Sequence, residues 1–487
     1  MKIELLCFPE IKESDFLNKN SFQFKQKQVI YMASRIKIKK GLDIPLMGEP
    51  QERFLGEVKS DLLKICPEDF TGVTPKLSVK VGDEVKAGEA LMYDRNHPSV
   101  KVASPVSGIV TAIERGEKRR ILNITVERKD ENEFVDYGVK NALSMQPEEV
   151  KESILNAGLW FFIKQRPYDV VANPDKDPRD IFVTGFSSAP LAPSYDFILK
   201  DQEKDLQAGL DALSKLTKGK VYLSVSPKTK SDALRNAKNV VVTEFEGPHP
   251  AGNVGVQINH IAPVNSGEVV WTLNALDVAV IGRLFNTGKV DLTRLVALVG
   301  SEVTKKGYYK MLIGTSLNEV LKTIPKPDDS RLRYISGDPL TGRKIDENDV
   351  LRAYSSQITV IPEGNNTHEF FGWATLSPTK YSAGATYLSS LISKLNPNKR
   401  YRIDARLKGG RRAIIMSNEY DQVFPMNIYP EFLLKSIIAF DIDKMIHLGI
   451  FEVAPEDFAL CEFVDTSKLE IQRIVRTGLD MLRKEVE

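Results

Sequence analysis

The chain has 487 residues, 42% of them hydrophobic and 27% charged, with a formal net charge of +2. Length and composition fit a folded chain of about three or four domains rather than one core. The near-neutral balance gives no reason to expect nucleic-acid binding, which needs concentrated positive charge.

Cys7, Cys66 and Cys461 are the only cysteines and lie far apart, which excludes a disulfide framework or a four-cysteine zinc or iron–sulfur site. Free thiols fit a reducing cytoplasm. The five histidines include no HExxH and no close pair, so no metal site is expected. No run approaches the roughly 18–20 apolar residues of a membrane span. Lys435, for example, interrupts the apolar window from Phe432 to Phe440.

Met1 to Tyr31 lack the apolar core and small-residue cleavage site of a secretory signal and read as an extension or a misassigned start. Met32 then opens what looks like a fresh N-terminus. Leu77, Val79 and Val81 alternate with Lys76, Ser78 and Lys80, the period of a half-buried strand. Gly82-Asp83, Gly88 and Pro105-Val106-Ser107-Gly108 supply turns, and Leu122, Ile124 and Val126 are expected to share one face. The set matches the barrel-sandwich hybrid fold of biotin and lipoyl carriers. A carrier needs a lysine at the tip of its hairpin, where this chain has Asp94-Arg95-Asn96-His97-Pro98. The fold is expected without the carrier chemistry, and His97 is read as a solvated tip histidine.

Pro147, Glu148 and Glu149 open a helix with Val150, Ile154 and Leu155 on its apolar face, and Gly158 is placed to stop it. Ile181-Phe182-Val183, the stripe Leu206, Leu210 and Leu213, and Val221-Tyr222-Leu223 give strand, helix and strand. That order favours a parallel sheet. Thr184-Gly185-Phe186-Ser187-Ser188 has one glycine where a dinucleotide fingerprint needs three, and Gly252 and Gly255 lack the lysine of a phosphate loop. Gly247-Pro248-His249-Pro250 reads as a rigid turn. It either presents His249 and His260 to a ligand or neighbour, or buries them as caps; the second reading is favoured on chemistry alone.

Leu295 to Val299 reads as a strand and Ser316 to Leu321 as a short helix capped by Ser316. Thr359-Val360-Ile361 is a strand, Leu388, Leu391, Ile392 and Leu395 mark a helix, and the chain from Phe432 on is helical. Phe370-Phe371-Gly372-Trp373 is an aromatic cluster suited to an interface or a core. Lys399, Arg400, Arg402, Arg406, Lys408 and Arg411 are opposed in sequence only by Asp404. They form either a headgroup or partner contact or a solvated face.

The expected architecture is therefore an α/β multi-domain fold, in which residues 1–31 are an extension. A barrel-sandwich hybrid (biotinyl/lipoyl-like) domain covers 32–135 and a Rossmann-like strand–helix–strand domain 136–262. A small β-grasp-like α+β (soluble-ligand-binding-like) module covers 263–355, and a mixed, then helix-rich C-terminal region covers 356–487. No nucleophile–base pair with recognisable spacing is present, so no catalytic residue is assigned.

Five segments together resemble the A subunit of the sodium-translocating NADH:quinone reductases. They are Ile38-Lys39-Lys40-Gly41-Leu42-Asp43-Ile44-Pro45, Gly247 to Gly255, Ile335-Ser336-Gly337-Asp338-Pro339-Leu340-Thr341-Gly342-Arg343, Glu369-Phe370-Phe371-Gly372-Trp373, and Glu456-Asp457-Phe458-Ala459-Leu460-Cys461-Glu462-Phe463-Val464. The resemblance covers 32–487 in order. It implies a peripheral subunit on the cytoplasmic face of the bacterial inner membrane. Its partners would be the other members of a six-subunit complex that oxidises NADH, reduces quinone and exports sodium, chief among them the quinone-reducing membrane subunit. NADH, flavins, the iron–sulfur centre and quinone would be used through other subunits, with no cofactor held by this chain. Relatives in respiratory complex I and the ferredoxin-dependent complex carry cluster cysteines; here Cys461 stands alone beside Asp465-Thr466-Ser467. Quinone sites are apolar clefts with a few polar groups, so His249 and His260 are named as polar quinone candidates and Phe371 and Trp373 as walls. The rival readings are a stand-alone flavin- or nucleotide-binding oxidoreductase and a pure assembly scaffold.

Overall fold

The computed structural model describes residues 34–325, 331–364 and 418–486, together with 380–381, 383, 395–396 and 398–415. The Rossmann-type signal becomes a seven-stranded sheet. Its order is Ser34–Lys37, Val241–Glu246, Val221–Val225, Ile181–Thr184, Val270–Asn274, Lys164–Arg166 and Val170–Val171. The first five strands are parallel; Lys164–Arg166 is added antiparallel beside Val270–Asn274, and Val170–Val171 antiparallel beside Lys164–Arg166. The chain leaves Ile181–Thr184 toward one edge and returns on its other side with Val270–Asn274, so the switch point lies between those two strands. Helices Glu203–Lys215 and Ala275–Thr287 pack against each other beside the sheet, burying Leu206, Leu210, Leu213, Val278 and Ile281.

The strand pairing joins segments across the expected domain bounds at three places. The boundary at 262/263 falls inside the sheet, because Val270–Asn274 pairs with Ile181–Thr184. Pro263, Asn265 and Gly267 lie in the connection between helix Val254–Ile261 and that strand. The stretch from 32 expected within the barrel is shared out as well. Before entering the barrel the chain gives Ser34–Lys37 to the parallel sheet and Phe54–Glu57 to a second sheet. That second sheet has six strands, in the order Arg343–Ile345, Leu332–Ser336, Gln357–Pro362, Thr293–Val299, Gly307–Leu312 and Phe54–Glu57. Gln357–Pro362, expected in the C-terminal region, lies within it. The short helix runs Asn318–Leu321, against the expected start at Ser316.

The barrel-sandwich hybrid closes from a four-stranded sheet (Leu62–Ile65, Ile121–Arg128, Gly108–Arg115, Glu84–Val85) and a three-stranded one (Pro75–Leu77, Ala90–Asp94, Lys101–Ala103). Ile124 and Val126 point into its core, but Leu122 is exposed. Glu114 faces Asn123 and Arg115 faces Ile121, so Leu122 is the extra residue of a bulge, turned outward. The strand at 75 ends at Leu77, which leaves Val81 exposed in the following turn. The expected apolar helix at Leu388 to Leu395 falls largely outside the described residues. Helices Glu419–Val423, Pro430–Ile438, Ile442–His447, Ala459–Val464 and Ile471–Val486 bundle around Leu433, Leu434, Ile437, Val475 and Leu479. No helix among the described residues is long and apolar enough to cross a membrane.

A Cβ built on Gly282 would sit 1.7 Å from the Asp205 carbonyl oxygen and 2.5 Å from the Gly209 nitrogen, both backbone atoms of the facing helix. In an exposed helix Gly→Ala stabilises by about 1 kcal/mol. Here overpacking, typically about 1–3 kcal/mol, reverses the sign. Gly282→Ala is expected to lower the thermal midpoint of the purified chain, and a higher midpoint would refute this packing.

Candidate binding site

The strand Val241–Glu246 runs into the turn Gly247 to Asn253, which contains a cis His249–Pro250 bond and leads into helix Val254–Ile261. The turn is held by the N-terminal segment: the His249 amide donates to Asp43 Oδ1 at 2.8 Å, and its carbonyl accepts from the Leu42 amide at 2.8 Å. His249 Nδ1 lies 3.1 Å from Ser188 Oγ, and that hydroxyl accepts the Gly252 amide at 2.8 Å. The hydroxyl can accept a second hydrogen bond, so the Nδ1 contact fits either tautomer of the ring. His249 is 3% exposed, and Nε2 has no hydrogen-bond partner. Burial pushes its pKa down against the pull of Asp338 and Asp43, so the ring is neutral.

The remaining family segments meet the same turn. Asn253 Nδ2 donates to the Glu456 carbonyl at 3.4 Å. The Asp457 carboxylate lies over the first turn of helix Val254–Ile261, where a Cβ on Gly255 would be 2.4 Å from both its oxygens. Asp457 Oδ2 accepts the Ala454 amide at 2.8 Å and pairs with Arg166 Nη1 at 3.3 Å, both side chains being almost wholly buried. Gln472 Nε2 ties the bundle to the Leu340 carbonyl at 3.0 Å. Four of the five segments that carry the resemblance therefore converge, although they are far apart in sequence. The fifth, which includes Phe371 and Trp373, lies outside the described residues.

His260 is not brought to this point. It is exposed in the last turn of helix Val254–Ile261, about 10 Å further along the axis at 1.5 Å per residue. Its Nδ1 lies 2.9 Å from the Val256 carbonyl. His97 also departs from its sequence reading. It is paired with the buried Asp94 at 3.2 Å and lines a cavity of about 30 Å³ with Gln165, Asn173 and Arg483, so the hairpin tip is docked. The basic run is largely neutralised, by the Asp404 within it and by three carboxylates from distant segments. Arg400 meets Glu49, Arg402 meets Glu302, Arg406 and Lys408 meet Asp404, and Arg411 meets Glu470. Cys66 donates to Asn123 Oδ1, and Cys461 is buried among the C-terminal helices.

Doubly wound sheets bind nucleotide phosphates at helix N-termini beside the switch point. Two helix N-termini beside this sheet carry the chain's own carboxylates. Asp457 covers helix Val254–Ile261, and Asp277, in the first turn of helix Ala275–Thr287, is ion-paired with Arg294. These residues do not fit a dinucleotide. Sequence reasoning missed Arg166, Ser188 and Asp277, which stand in no motif, whereas Asp43, Asp338 and Asp457 stood inside the quoted segments.

Three family models match the chain: the NqrA N-terminal barrel-sandwich hybrid domain over 36–129, the NqrA second alpha/beta domain over 145–290, and the NQRA C-terminal domain over 295–347. The chain is 36% identical over 453 residues to the A subunit of the Na(+)-translocating NADH-quinone reductase from Neisseria meningitidis serogroup B, covering 92% of this chain and 100% of that protein. The corresponding protein of Hahella chejuensis is 36% identical and that of Pasteurella multocida 34%, at the same coverage. A solved NAD+-reducing [NiFe]-hydrogenase in its air-oxidised state aligns with a TM-score of 0.34 and 12% identity over 70% of this chain and 67% of its own, too slight to bear an argument.

Arg166→Met would leave Asp457 buried without its counter-charge, and is expected to cost about 3–5 kcal/mol in denaturant unfolding. Glu456 keeps contact with solvent but is crowded by protein. Partial desolvation, then the neighbouring Asp457 carboxylate, push its carboxyl up to about 7. A carboxyl raised on folding binds more protons in the folded state, so it costs stability as pH climbs from about 4.5 to 7. Glu456→Gln should therefore raise the thermal midpoint at pH 8 and leave it unchanged at pH 4; equal shifts at both would contradict the assignment.

Proposed function

The chain belongs to the family of Na(+)-translocating NADH-quinone reductase A subunits, and on that premise we propose that it serves as an accessory subunit of such a complex. The complex oxidises NADH, reduces quinone to quinol and exports sodium ions. The chain is an enzyme component through the complex and contributes to the quinone-reducing step and to assembly, with no catalytic residue of its own. We assign it a peripheral position on the cytoplasmic face of the inner membrane, docked on the quinone-reducing membrane subunit. Flavins and the iron–sulfur centre are held by other subunits. In the same reading the seven-stranded unit is Rossmann-like and the six-stranded unit β-grasp-like.

The observation that carries this proposal is the relationship over 92% of the chain and the whole length of its relatives. The convergence of four family segments on His249 supports a shared site there. His249 is the polar group we assign to quinone. His260, at the far end of its helix, is a weaker assignment, and Phe371 and Trp373 remain proposed walls. The stand-alone oxidoreductase reading is disfavoured by Asp277 and Asp457, which hold the positions a nucleotide phosphate would need.

A tagged chain purified from mildly solubilised membranes is expected to bring down its partner subunits, with flavin and sodium-stimulated NADH:quinone activity. Recovery of the chain alone, coloured by its own flavin, would overturn the proposal in favour of the oxidoreductase. Unchanged quinone affinity in complexes depleted of the chain would reduce it to a scaffold.

A further inference from the structure

The barrel and the six-stranded sheet leave a cleft between them with a volume of about 160 Å³. Three stretches of chain build it. Val58 follows the edge strand Phe54–Glu57, and its amide is fixed to the Lys310 carbonyl at 2.9 Å. Thr293 and Leu312 face each other at the ends of two paired strands. The third stretch, Arg128 to Phe134, leaves the barrel and is pinned by Asn132, whose Oδ1 accepts the Ser107 amide at 2.7 Å. Val58, Phe134, Met311 and Leu312 give the cleft an apolar side. One water needs about 10–15 Å³ of such space, so the cleft has room for roughly ten non-hydrogen atoms.

On the polar side, donors are left over. Asn132 must turn its oxygen to the Ser107 amide, which leaves Nδ2 as a donor with no partner among the described residues. Arg128 spends its amide on the Asp61 carbonyl. Its half-buried guanidinium and the exposed Lys59 ammonium make no hydrogen bond or ion pair among the described residues. The lining holds two carboxylates, and one of them is already satisfied. Asp291 pairs with Arg283 Nη1 at 3.1 Å and accepts the Thr293 amide at 2.9 Å. Glu57, exposed at the rim, is then the one carboxylate set against Lys59 and Arg128. The cleft keeps a surplus of one positive charge beside an apolar surface.

We propose that this cleft binds a small monocarboxylate with an aliphatic body, its carboxylate held by Arg128, Lys59 and Asn132 Nδ2 and its body laid on Val58, Phe134, Met311 and Leu312. The planar guanidinium fork matches a carboxylate. A phosphate monoester, with a charge of about −1.5 to −2, exceeds the surplus. The site shares no residue with the His249 turn. It goes beyond the reading of the chain as a reductase component, which stands whether or not the cleft is occupied.

The test titrates butanoate, hexanoate, octanoate and decanoate into the purified full-length chain by calorimetry and ligand-observed NMR. Affinity is expected to rise about fourfold for each methylene buried. It should level off at octanoate, which fills the room for roughly ten atoms. Hexanol, without the charge, should bind about tenfold more weakly than hexanoate, and hexylamine should not bind. Arg128→Gln and Lys59→Gln should each weaken hexanoate about threefold to tenfold. Asn132→Asp keeps the oxygen that accepts the Ser107 amide and puts a second carboxylate oxygen in place of Nδ2, so it should abolish binding. Thermal midpoints report folding, and the Arg128→Gln/Lys59→Gln double variant decides the matter if Asn132→Asp fails to fold. Wild-type affinity in that double variant, affinity that does not change with chain length, or no binding of octanoate by the wild-type chain overturns the site.

Discussion

One buried ion pair, between Arg166 and Asp457, holds the molecule's distant parts together. Arg166 lies on an antiparallel strand added beside the switch point, and Asp457 lies in the turn Pro455–Phe458, just before the last two helices. Stripping both charges of water costs several kcal/mol, which Coulomb attraction offsets only when the remaining polar atoms are also satisfied. The Ala454 amide supplies part of that compensation to Asp457, while Asp457 Oδ1 and Arg166 Nε stay buried without a partner. Three elements far apart in sequence must therefore close around one carboxylate, and Gly255 leaves room for it.

That constraint explains which parts of the fold were legible. Elements whose signal is local were readable: helix Pro147–Asn156 begins at its proline and acidic first turn, and the Gly turns of the barrel fall where the chain reverses. Strand partners were not, because pairing is non-local. Nothing in Ser34–Lys37 or Phe54–Glu57 says that these neighbouring strands enter two different sheets. The Pro263-to-Gly267 turn looked like a domain boundary because linkers and tight connections share their residue types. The basic run was ambiguous in sequence because three of its carboxylate partners, Glu49, Glu302 and Glu470, are brought near only by folding.

The site was half legible. His249 could be chosen from its rigid Pro/Gly turn, but its state depends on Ser188, Asp43 and Asp338, which approach from three other segments. A histidine in such a turn is ambiguous in sequence because burial and ligand binding ask for the same residue. What distinguishes the two is the second ring nitrogen. A purely structural histidine usually satisfies both nitrogens, whereas this one spends Nδ1 on Ser188 and leaves Nε2 buried without a partner.

The same reasoning explains why a doubly wound sheet can sit in a chain with no nucleotide fingerprint. The switch point of such a sheet favours anions because two helix N-termini point at it. An internal carboxylate at each N-terminus satisfies that preference permanently. Asp277 and Asp457 do this, and Arg294 and Arg166 neutralise them. The sheet keeps its rigidity and gives up its usual ligand. The parts that remain free to meet something else are the segments converging on His249, where a buried ring nitrogen without a partner and two carboxylates come from three separate stretches of chain. Each stretch is unremarkable alone, and together they account for a family pattern spread over the whole sequence yet concentrated at one place in the fold.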